Sequence, residues 1–258
     1  MASGAAYYPG AAGHRAAKLT EGVSVDINTI DTRRAGPVLG LLGGLGVGAA
    51  IHYYRELAAA HGRRRRSMNL VMVHASITRA TDYTSKGDRL GLATYLAALL
   101  QQLQAAGAGI GILPAVTPHI CIDELQSISP LPVIDLTKVV ADHVRERKLS
   151  RVALFGTRFV VESDLYGRLA GVDIVRPRES ELAFIHHAYT QMAHTGAASA
   201  DHREQFVALA DTLRRRDGVE AVVLAGTDFA LMFNGDNTPF PHVDCTRAHL
   251  DVIMRSVE

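Results

Sequence analysis

A glycine-rich turn in the sequence contains residues able to bind an anion. Residues 43–46 read Gly-Gly-Leu-Gly between an apolar run and a helical pattern. Backbone N–H groups of such a turn can approach an anion at the start of the helix, although a tight turn without a ligand explains the same residues. The turn has neither the spacing of a dinucleotide fingerprint nor the Lys-Ser or Lys-Thr of a P-loop. We predict that Gly44, Leu45 and Gly46 line a binding site.

Two further loops repeat one pattern in the two halves of the chain. Residues 114–119 and 224–228 each place a small residue before a threonine and a polar residue that opens a helix. A hydroxyl group and the N–H groups of a helix start both donate hydrogen bonds, so these loops predict anion-binding ends that face each other. Simple capping of the helices by Thr117 and Thr227 is the alternative. Thr157 stands in a similar place at another helix start.

The elements that must position these loops follow a βαβ pattern. From residue 38 onward, short apolar runs alternate with helical patterns, which is typical of parallel sheets flanked by helices, and ligands of such sheets bind beyond the carboxyl ends of the strands. The predicted strands, in two sets of four, are residues 38–42, 70–74, 109–113, 133–135, 152–155, 173–175, 221–224 and 242–244. The predicted helices are residues 48–60, 89–105, 137–147, 179–194, 200–215 and 246–256.

Composition excludes several classes of protein. The 258 residues carry 27 Lys and Arg against 26 Asp and Glu, a formal net charge of +1, which offers no basic field for a nucleic acid. The four arginines at 63–66 are interpreted as a solvated turn. Cys121 and Cys245 lack the spacing of a disulfide scaffold or metal site, and no apolar run reaches the roughly 18 residues of a membrane span. We expect a cytoplasmic protein with no nucleic-acid, membrane or metal partner.

Five motifs together resemble a known family, the aspartate/glutamate racemase superfamily, whose members use no pyridoxal phosphate. They are residues 40–46, residues 114–119 followed by 123–126, Gly156 and Thr157 with Tyr166, residues 224–228, and residues 243–246 with His249. The resemblance implies an α/β fold of two pseudo-twofold-related domains, each a mainly parallel four-stranded sheet flanked by helices. It also implies a substrate between the domains, no cofactor, and a homodimer.

The domain boundaries expected from this resemblance leave an N-terminal tail of residues 1–36. The first domain is expected to comprise residues 37–137 plus 243–258, and the second residues 138–242. Within the tail, residues 23–30 alternate between apolar and polar residues, which predicts an edge strand or a pairing arm.

The sequence departs from the family at the catalytic positions. Racemases of this family place one cysteine in each half, on opposite faces of the substrate carbon, whereas the aligned positions here are Ala115 and Gly226. Neither side chain can carry a proton, so the two-thiol mechanism does not apply. Val116 replaces an asparagine of the family pattern and makes that wall apolar. The loss of both thiols also predicts a wider cleft and a bulkier substrate than aspartate.

Four residues are candidates for the acid–base role that the two cysteines fill in the racemases: His74, His119, Asp228 and Cys245. Each has a structural alternative. His119 can order its own loop, Asp228 can stabilise a helix N-terminus by its charge, and Cys245 can be a core residue. Cys121 is expected in the core because its helical neighbours are apolar.

Cationic and hydroxyl side chains are candidates for substrate binding. Arg79 and Lys86, in a predicted loop shared with Arg89, would clamp an anion, against the alternative of surface exposure. Tyr166, predicted one helical turn beyond Glu162, would donate to substrate. The full predicted binding set is Gly44, Leu45, Gly46, Arg79, Lys86, Ala115, Val116, Thr117, Thr157, Tyr166, Gly226 and Thr227.

The sequence therefore predicts a cofactor-independent enzyme that acts on a small carboxylate or amino-acid-derived substrate in the cleft between the domains. Its reaction would be an isomerisation, elimination or cyclisation by acid–base chemistry, in amino acid or specialised metabolism. Two alternatives stay open: an amino-acid racemase inactivated by replacement of both cysteines, and a non-catalytic relative that binds a metabolite or a partner.

Overall fold

Two parallel sheets, each covered by helices on both faces, make up the part of the chain that the computed structural model describes, residues 37–257. The expected N-terminal tail of residues 1–36 and the predicted arm at 23–30 lie outside the described residues. The elements around each sheet are called here the first lobe and the second lobe. Both lobes belong to one compact unit, Ala35–Glu258.

The first sheet has three parallel strands in the order β2-β1-β3: β1 (Leu39–Gly43), β2 (Leu70–His74) and β3 (Ile110–Ile112). The predicted fourth strand at 133–135 is wrong. Only Val133 forms an isolated bridge, to Gly111. Pro132 cannot donate to a ladder, and Asp135 already caps the next helix, so no room is left for a strand.

The second sheet has the predicted four parallel strands, and their order is β5-β4-β6-β7. They are β4 (Arg151–Phe155), β5 (Asp173–Val175), β6 (Ala221–Leu224) and β7 (His242–Asp244). β7 pairs with β6, so Val243 and Asp244 lie in the second sheet, although the expected boundary assigned residues 243–258 to the first domain.

Nine α-helices and two short 3₁₀ helices connect the described strands. The α-helices are α1 (Val47–Arg63), α2 (Ile77–Ser85), α3 (Arg89–Ala105), α4 (Ile122–Ile128), α5 (Leu136–Glu146), α6 (Arg158–Glu162), α7 (Glu179–Thr195), α8 (Ala200–Asp217) and α9 (Cys245–Ser256). The 3₁₀ helices are η1 (Thr117–Cys121) and η2 (Thr227–Leu231). All six predicted helices are present.

Two local predictions between these helices are wrong. Arg79 lies within α2 and Lys86 at its end, where a loop was predicted; the Ser76 hydroxyl starts this helix by accepting the N–H of Arg79. Tyr166 does not share a helix with Glu162, because α6 ends at Glu162.

The apolar residues of the central strands β1, β4 and β6 are buried on both faces. Leu42 of β1 packs with α3, whereas Leu39 and Leu41 pack with α1 and α9. In the second lobe, the cluster of Phe155 contains α7 and α8 residues, and that of Val152 contains α5 residues. Burial on both faces explains why these strands read as continuous apolar runs.

Helix α9 connects the lobes. It begins directly after β7 of the second sheet, where the Asp244 side chain caps it by accepting the N–H groups of Thr246 and Arg247. Its apolar residues, Ile253 among them, pack with α1 and β1 of the first lobe. Among residues 37–257, no helix combines the length and hydropathy that a bilayer span requires.

The turn after β1 depends on a glycine. Gly44 has a φ of +85°, and a Cβ added there would lie 2.2 Å from the carbonyl oxygen of Ala75. Gly87 also has a positive φ, of +67°, but nothing lies within 4 Å of its added Cβ.

We predict that Gly44→Ala lowers the free energy of unfolding by more than about 3 kcal/mol, whereas Gly87→Ala lowers it by about 1–2 kcal/mol, the strain of a left-handed residue alone. Urea unfolding of the two variants measures the difference. Equal losses would show that the close approach of the two loops is not a tight constraint.

Candidate active site

The strand-end loops of the two lobes meet at a seam, as their repeated pattern predicts. The Thr227 hydroxyl, at the end of β6, donates a hydrogen bond of 3.2 Å to the carbonyl oxygen of Pro114, at the end of β3. The Thr246 hydroxyl donates in turn to the carbonyl oxygen of Thr227, at 3.2 Å. Thr227 and Thr246 are both buried. The Thr227 hydroxyl therefore joins the two lobes.

The other two threonines of the pattern behave differently. The Thr157 hydroxyl caps α6 by accepting the N–H of Val160. Thr117 begins η1 and is half-buried, and its hydroxyl makes no hydrogen bond with any described residue. Thr117 is therefore the threonine whose hydroxyl is free to contact a ligand.

Tyr189 of α7 fills the space beside Gly226. A Cβ added to Gly226 would lie 2.4 Å from Tyr189 Cε2, 2.6 Å from Cζ and 2.7 Å from the hydroxyl oxygen. No side chain fits at position 226 while the tyrosine ring stays in place. The expectation that loss of this thiol widens the cleft is therefore wrong on the second-lobe side.

The Tyr189 hydroxyl donates a hydrogen bond of 3.0 Å to Oδ2 of Asp228. Asp228 is 5% exposed, and its Oδ1 has no hydrogen-bond partner. Burial raises the pKa of Asp228, while the Tyr189 hydroxyl and the backbone N–H of Ala49 act in the opposite direction. Burial also raises the pKa of Tyr189 well above its ordinary value, so the tyrosine stays protonated.

The Asp228 carboxylate also lies beside the glycine-rich turn. An added Cβ at Gly46 would lie 3.8 Å from Asp228 Oδ2, and one at Gly48 would lie 3.3 Å from Oδ1. Asp228 thus stands at the first turn of α1, where a negative charge is favoured by the helix dipole. The anion position predicted at this turn is filled by a side chain of the protein itself.

Cys245 lies next to Gly226 at the start of α9. Its thiol is fully buried, 3.9 Å from the Thr246 hydroxyl oxygen. Burial and the nearby Asp244 raise its pKa, whereas the Gly226 backbone N–H lowers it. Burial likewise raises the pKa of Cys121 to about 12, and its thiol donates to the carbonyl oxygen of Pro118. Both groups stay as thiols at neutral pH.

Two buried histidines lie on the first-lobe side of the seam. Nδ1 of His119 is 2.9 Å from the carbonyl oxygen of Ala115, which can only accept, so Nδ1 carries the proton and Nε2 a lone pair. That Nε2 has no partner. Nε2 of His249 lies 3.2 Å from the Ile134 carbonyl oxygen, and its Nδ1 lies 3.0 Å from the Tyr53 hydroxyl. Burial lowers the pKa of His119 and takes that of His249 to about 3, so both rings are neutral.

Unpaired polar atoms concentrate at this seam. Among the described residues, three buried side-chain atoms lack a hydrogen-bond partner: His119 Nε2, the Tyr166 hydroxyl and Asp228 Oδ1. Asp228 raises the pKa of Cys245, Cys245 raises that of Tyr166, and Asp135 raises the pKa of both His119 and Tyr166. Leaving a buried polar atom unpaired costs about 1–3 kcal/mol, so each of these atoms needs a physical reason, and a catalytic role or a bound water or ion is such a reason.

The remaining predicted residues lie away from the buried centre. Arg79 is exposed and stacks on the Tyr95 ring, and Lys86 pairs with Asp82 on the surface. His74 is exposed at the end of β2, beside Gly44. Arg89 spans the seam by pairing with Asp164 of the second lobe, and Arg168 of the second lobe spans it by pairing with Asp123 of α4.

Ala115, Val116 and Leu45 are buried, and Ala115 supplies the carbonyl that orders His119. No group of three or more His, Cys, Asp or Glu side chains in residues 37–257 could hold a metal ion.

The doubly covered parallel sheets and their facing strand ends define a two-lobed α/β protein with a site at the seam. A family model for Asp/Glu/Hydantoin racemase matches residues 42–253, and the chain belongs to this family. The predicted family and fold class are thereby confirmed.

Solved structures share this fold at low sequence identity. An aspartate racemase homologue from Pyrococcus horikoshii superposes with a TM-score of 0.72 at 20% identity, covering 86% of this chain and 99% of its own. The aspartate racemase of Picrophilus torridus gives 0.68 at 17% identity, covering 86% and 94%. A glutamate racemase from Francisella tularensis, in complex with D-glutamate, gives 0.58 at 13%, covering 85% and 80%. These similarities establish the fold.

We predict that Gly226→Ala lowers the free energy of unfolding by about 2–3 kcal/mol because its methyl group would overlap the Tyr189 ring. In a Tyr189→Ala background the same change should cost less than about 1 kcal/mol, because the cavity accepts the methyl group. A double-mutant cycle by urea unfolding measures this coupling.

Gly235→Ala is the control for this cycle, since nothing lies within 4 Å of its added Cβ, and we expect a change within about 0.5 kcal/mol. If the losses in unfolding free energy at 226 and 189 simply add, the Tyr189 ring does not exclude a side chain at Gly226.

We also predict that Asp228→Asn stabilises the protein increasingly as pH rises from about 4 to 7. Burial raises the pKa of Asp228 above its ordinary value of 3.8, so the folded state favours the protonated form. The stability that this group contributes is present below pH 3.8 and is lost as pH rises through the folded-state pKa. Asparagine removes that loss. Urea unfolding at several pH values measures the free energy of unfolding of the variant relative to the unchanged protein. If this difference falls with rising pH, the pKa of Asp228 is not raised by folding.

Proposed function

We propose that this protein is a cofactor-independent enzyme that transfers a proton at the carbon beside a carboxylate, in the seam between the lobes. Asp228 and Tyr189 are the acid–base pair. The observation that carries the proposal is the position of the Tyr189 hydroxyl: it stands where a side chain at 226 would extend, and it is bonded to a buried carboxylate with one unpaired oxygen.

The proposed chemistry follows from the environment of this pair. The Asp228 carboxylate, made more basic by burial, takes the proton from the substrate carbon as the C–H bond breaks. The electron pair passes into the substrate carboxylate to give an enediolate. The Tyr189 hydroxyl keeps its hydrogen bond to Oδ2 of Asp228. Asp228 then returns the proton to the substrate or passes it to a leaving group. Isomerisation, elimination or cyclisation can follow.

One face of the substrate carries all of the proposed proton transfer. The first-lobe position opposite Gly226 is Ala115, whose methyl group cannot carry a proton, and the adjacent Val116 keeps that wall apolar. The Thr117 hydroxyl, which has no hydrogen-bond partner among residues 37–257, would donate to the substrate carboxylate. A single-sided centre that has departed from the two-thiol pattern suits a step of specialised metabolism, with an amino-acid-derived substrate.

The seam bears on the two alternatives from the sequence. An inactivated racemase would keep room for a side chain at 226, whereas Tyr189 fills that room, which favours divergence. Two groups that were expected to bind a substrate anion are occupied by the protein itself: the Thr227 hydroxyl bonds to Pro114, and the α1 N-terminus faces Asp228. This occupation favours the alternative of a non-catalytic relative. The homodimer stays a prediction.

The test is solvent deuterium incorporation at the carbon beside the carboxylate, followed by NMR over aspartate, glutamate and small carboxylates with apolar side chains. We expect incorporation into at least one compound. Tyr189→Phe and Asp228→Asn should each slow it by about 100-fold or more. The controls Tyr54→Phe and Asp173→Asn change an exposed tyrosine and an exposed carboxylate and should leave the rate within about twofold.

Two results would contradict the proposal. If no compound exchanges while a dicarboxylate still raises the melting temperature, the protein is a binding relative. If Cys245→Ser abolishes exchange while Tyr189→Phe leaves it intact, the acid–base role belongs to the thiol.

A further inference from the structure

The carboxylate of the proposed reaction centre and its neighbours in the seam are closed to solvent. Asp228, Thr227 and Cys245 are each at most 5% exposed. A substrate reaches such a buried group only when the two lobes part along the seam. The contacts that hold the lobes together therefore control access to the centre.

Ion pairs cross the seam in both directions. Nη2 of Arg89, in α3 of the first lobe, donates to both carboxylate oxygens of Asp164, at 2.5 and 2.8 Å. Nη2 of Arg168, in the second lobe, donates to Oδ1 of Asp123 in α4 of the first lobe. Each lobe thus supplies one cation and one carboxylate. These two ion pairs are called here the cross-lobe pairs.

Arg168 is held in place by its own lobe. Its Nε lies 2.9 Å from Oδ2 of Asp135, whose side chain is 5% exposed. Asp135 caps α5, which packs on the second sheet, by accepting the N–H groups of Thr137 and Lys138. The buried carboxylate therefore fixes the guanidinium plane, and the Nη2 atom is already directed at Asp123.

A narrow crevice leads inward from the other cross-lobe pair. It encloses about 110 Å³ between the lobes, which is room for water and too little for a substrate. Arg89, Asp164 and Ile120 are among the residues that line it. Ile120 also packs with the cluster that contains Val116 and Cys245. The route from this ion pair to the buried thiol therefore runs along Ile120.

The lobes can part without unfolding. Within residues 37–257, the chain passes between the lobes twice, before α5 and at the start of α9. Each lobe keeps its own sheet and its own apolar cluster. Rigid-body opening about a few connecting residues is a common domain motion.

We propose that the cross-lobe pairs hold the lobes closed and part to open the seam, so that ionic strength sets how often the buried centre is exposed. Exposed ion pairs are individually weak and are screened by salt. Loss of one such pair favours the open state by about two- to fivefold, which regulates entry without blocking it. Only the catalytic importance of this opening rests on the function proposed above.

The two cysteines of the chain report the opening directly. Cys245 packs in a cluster that joins both lobes, whereas the cluster of Cys121 consists of first-lobe residues. Parting of the lobes therefore exposes Cys245, and exposure of Cys121 requires unfolding. The full chain is treated with methyl methanethiosulfonate under native conditions, and peptide mass spectrometry gives the rate at each thiol. We expect Cys245 to react at least about tenfold faster than Cys121. Equal rates would overturn the proposal.

Substitutions of the two acidic partners test the cross-lobe pairs themselves. Asp164→Asn and Asp123→Asn should each speed the labelling of Cys245 by about two- to fivefold, and the double variant by about tenfold, with Cys121 unchanged within about twofold. Asp173→Asn is the matched control, because it breaks a comparable exposed pair with Arg151 inside the second lobe. It should leave both rates within about twofold.

Salt supplies an independent check. Potassium chloride at about 0.5 M should speed the labelling of Cys245 by about two- to fivefold or more in the unchanged protein, and by less than about twofold in the double variant. An unchanged Cys245 rate in the double variant, equal acceleration of Cys121, or the same acceleration in the control variant would overturn the proposal. Because labelling needs no substrate, its outcome is independent of the exchange experiment.

Discussion

The contact between the Tyr189 ring and the backbone of Gly226 is the constraint on which the seam depends. A ring and a side chain cannot share that space, since an added Cβ would lie within 2.4–2.7 Å of two ring carbons and the hydroxyl oxygen of Tyr189. The glycine therefore admits the tyrosine, and the tyrosine delivers its hydroxyl to Asp228. The space in which a side chain at 226 would extend is therefore occupied by a phenol that is hydrogen-bonded to a carboxylate.

The same contact links the two lobes. Asp228 accepts from Tyr189 of the second lobe and lies at the first turn of α1 in the first lobe, while Thr227 beside it bonds to Pro114. Burial raises the pKa of Asp228 despite the helix start, so desolvation outweighs the favourable dipole there. A carboxylate held this way is a stronger base than an exposed one, which is a property suited to proton abstraction.

Much of the fold could be predicted from the sequence because it rests on local patterns. Apolar runs of strand length placed seven strands, and helical periodicity gave α3 its observed bounds. The extra strand at 133 failed because the same apolar run also had to begin a capped helix. Helix α2 was missed because it has only nine residues and buries a single one of them, Ala80. The meeting of the loops at 114 and 227 was predictable, since both follow parallel strands.

The occupants of the seam were not predictable to the same degree. Tyr189 belongs to a helix far from any strand-end motif, and only its packing against Gly226 gives it meaning. That Asp228 would fill the anion position of the glycine-rich turn depends on how the lobes dock. Lys86 and Arg79 were selected for their charge, but surface pairing and ring stacking determine where they lie, and Arg89 alone of that group crosses the seam.

The central claim is that proton transfer takes place on one face, from Asp228 and Tyr189. The most direct measurement is the stereochemical course of deuterium exchange, with a single enantiomer of an exchanging substrate in deuterated water and its configuration followed over time. The account predicts that deuterium enters with retention, because the proposed acid–base pair, Asp228 and Tyr189, stands on the second-lobe face alone. Exchange accompanied by racemisation at the same rate would contradict it.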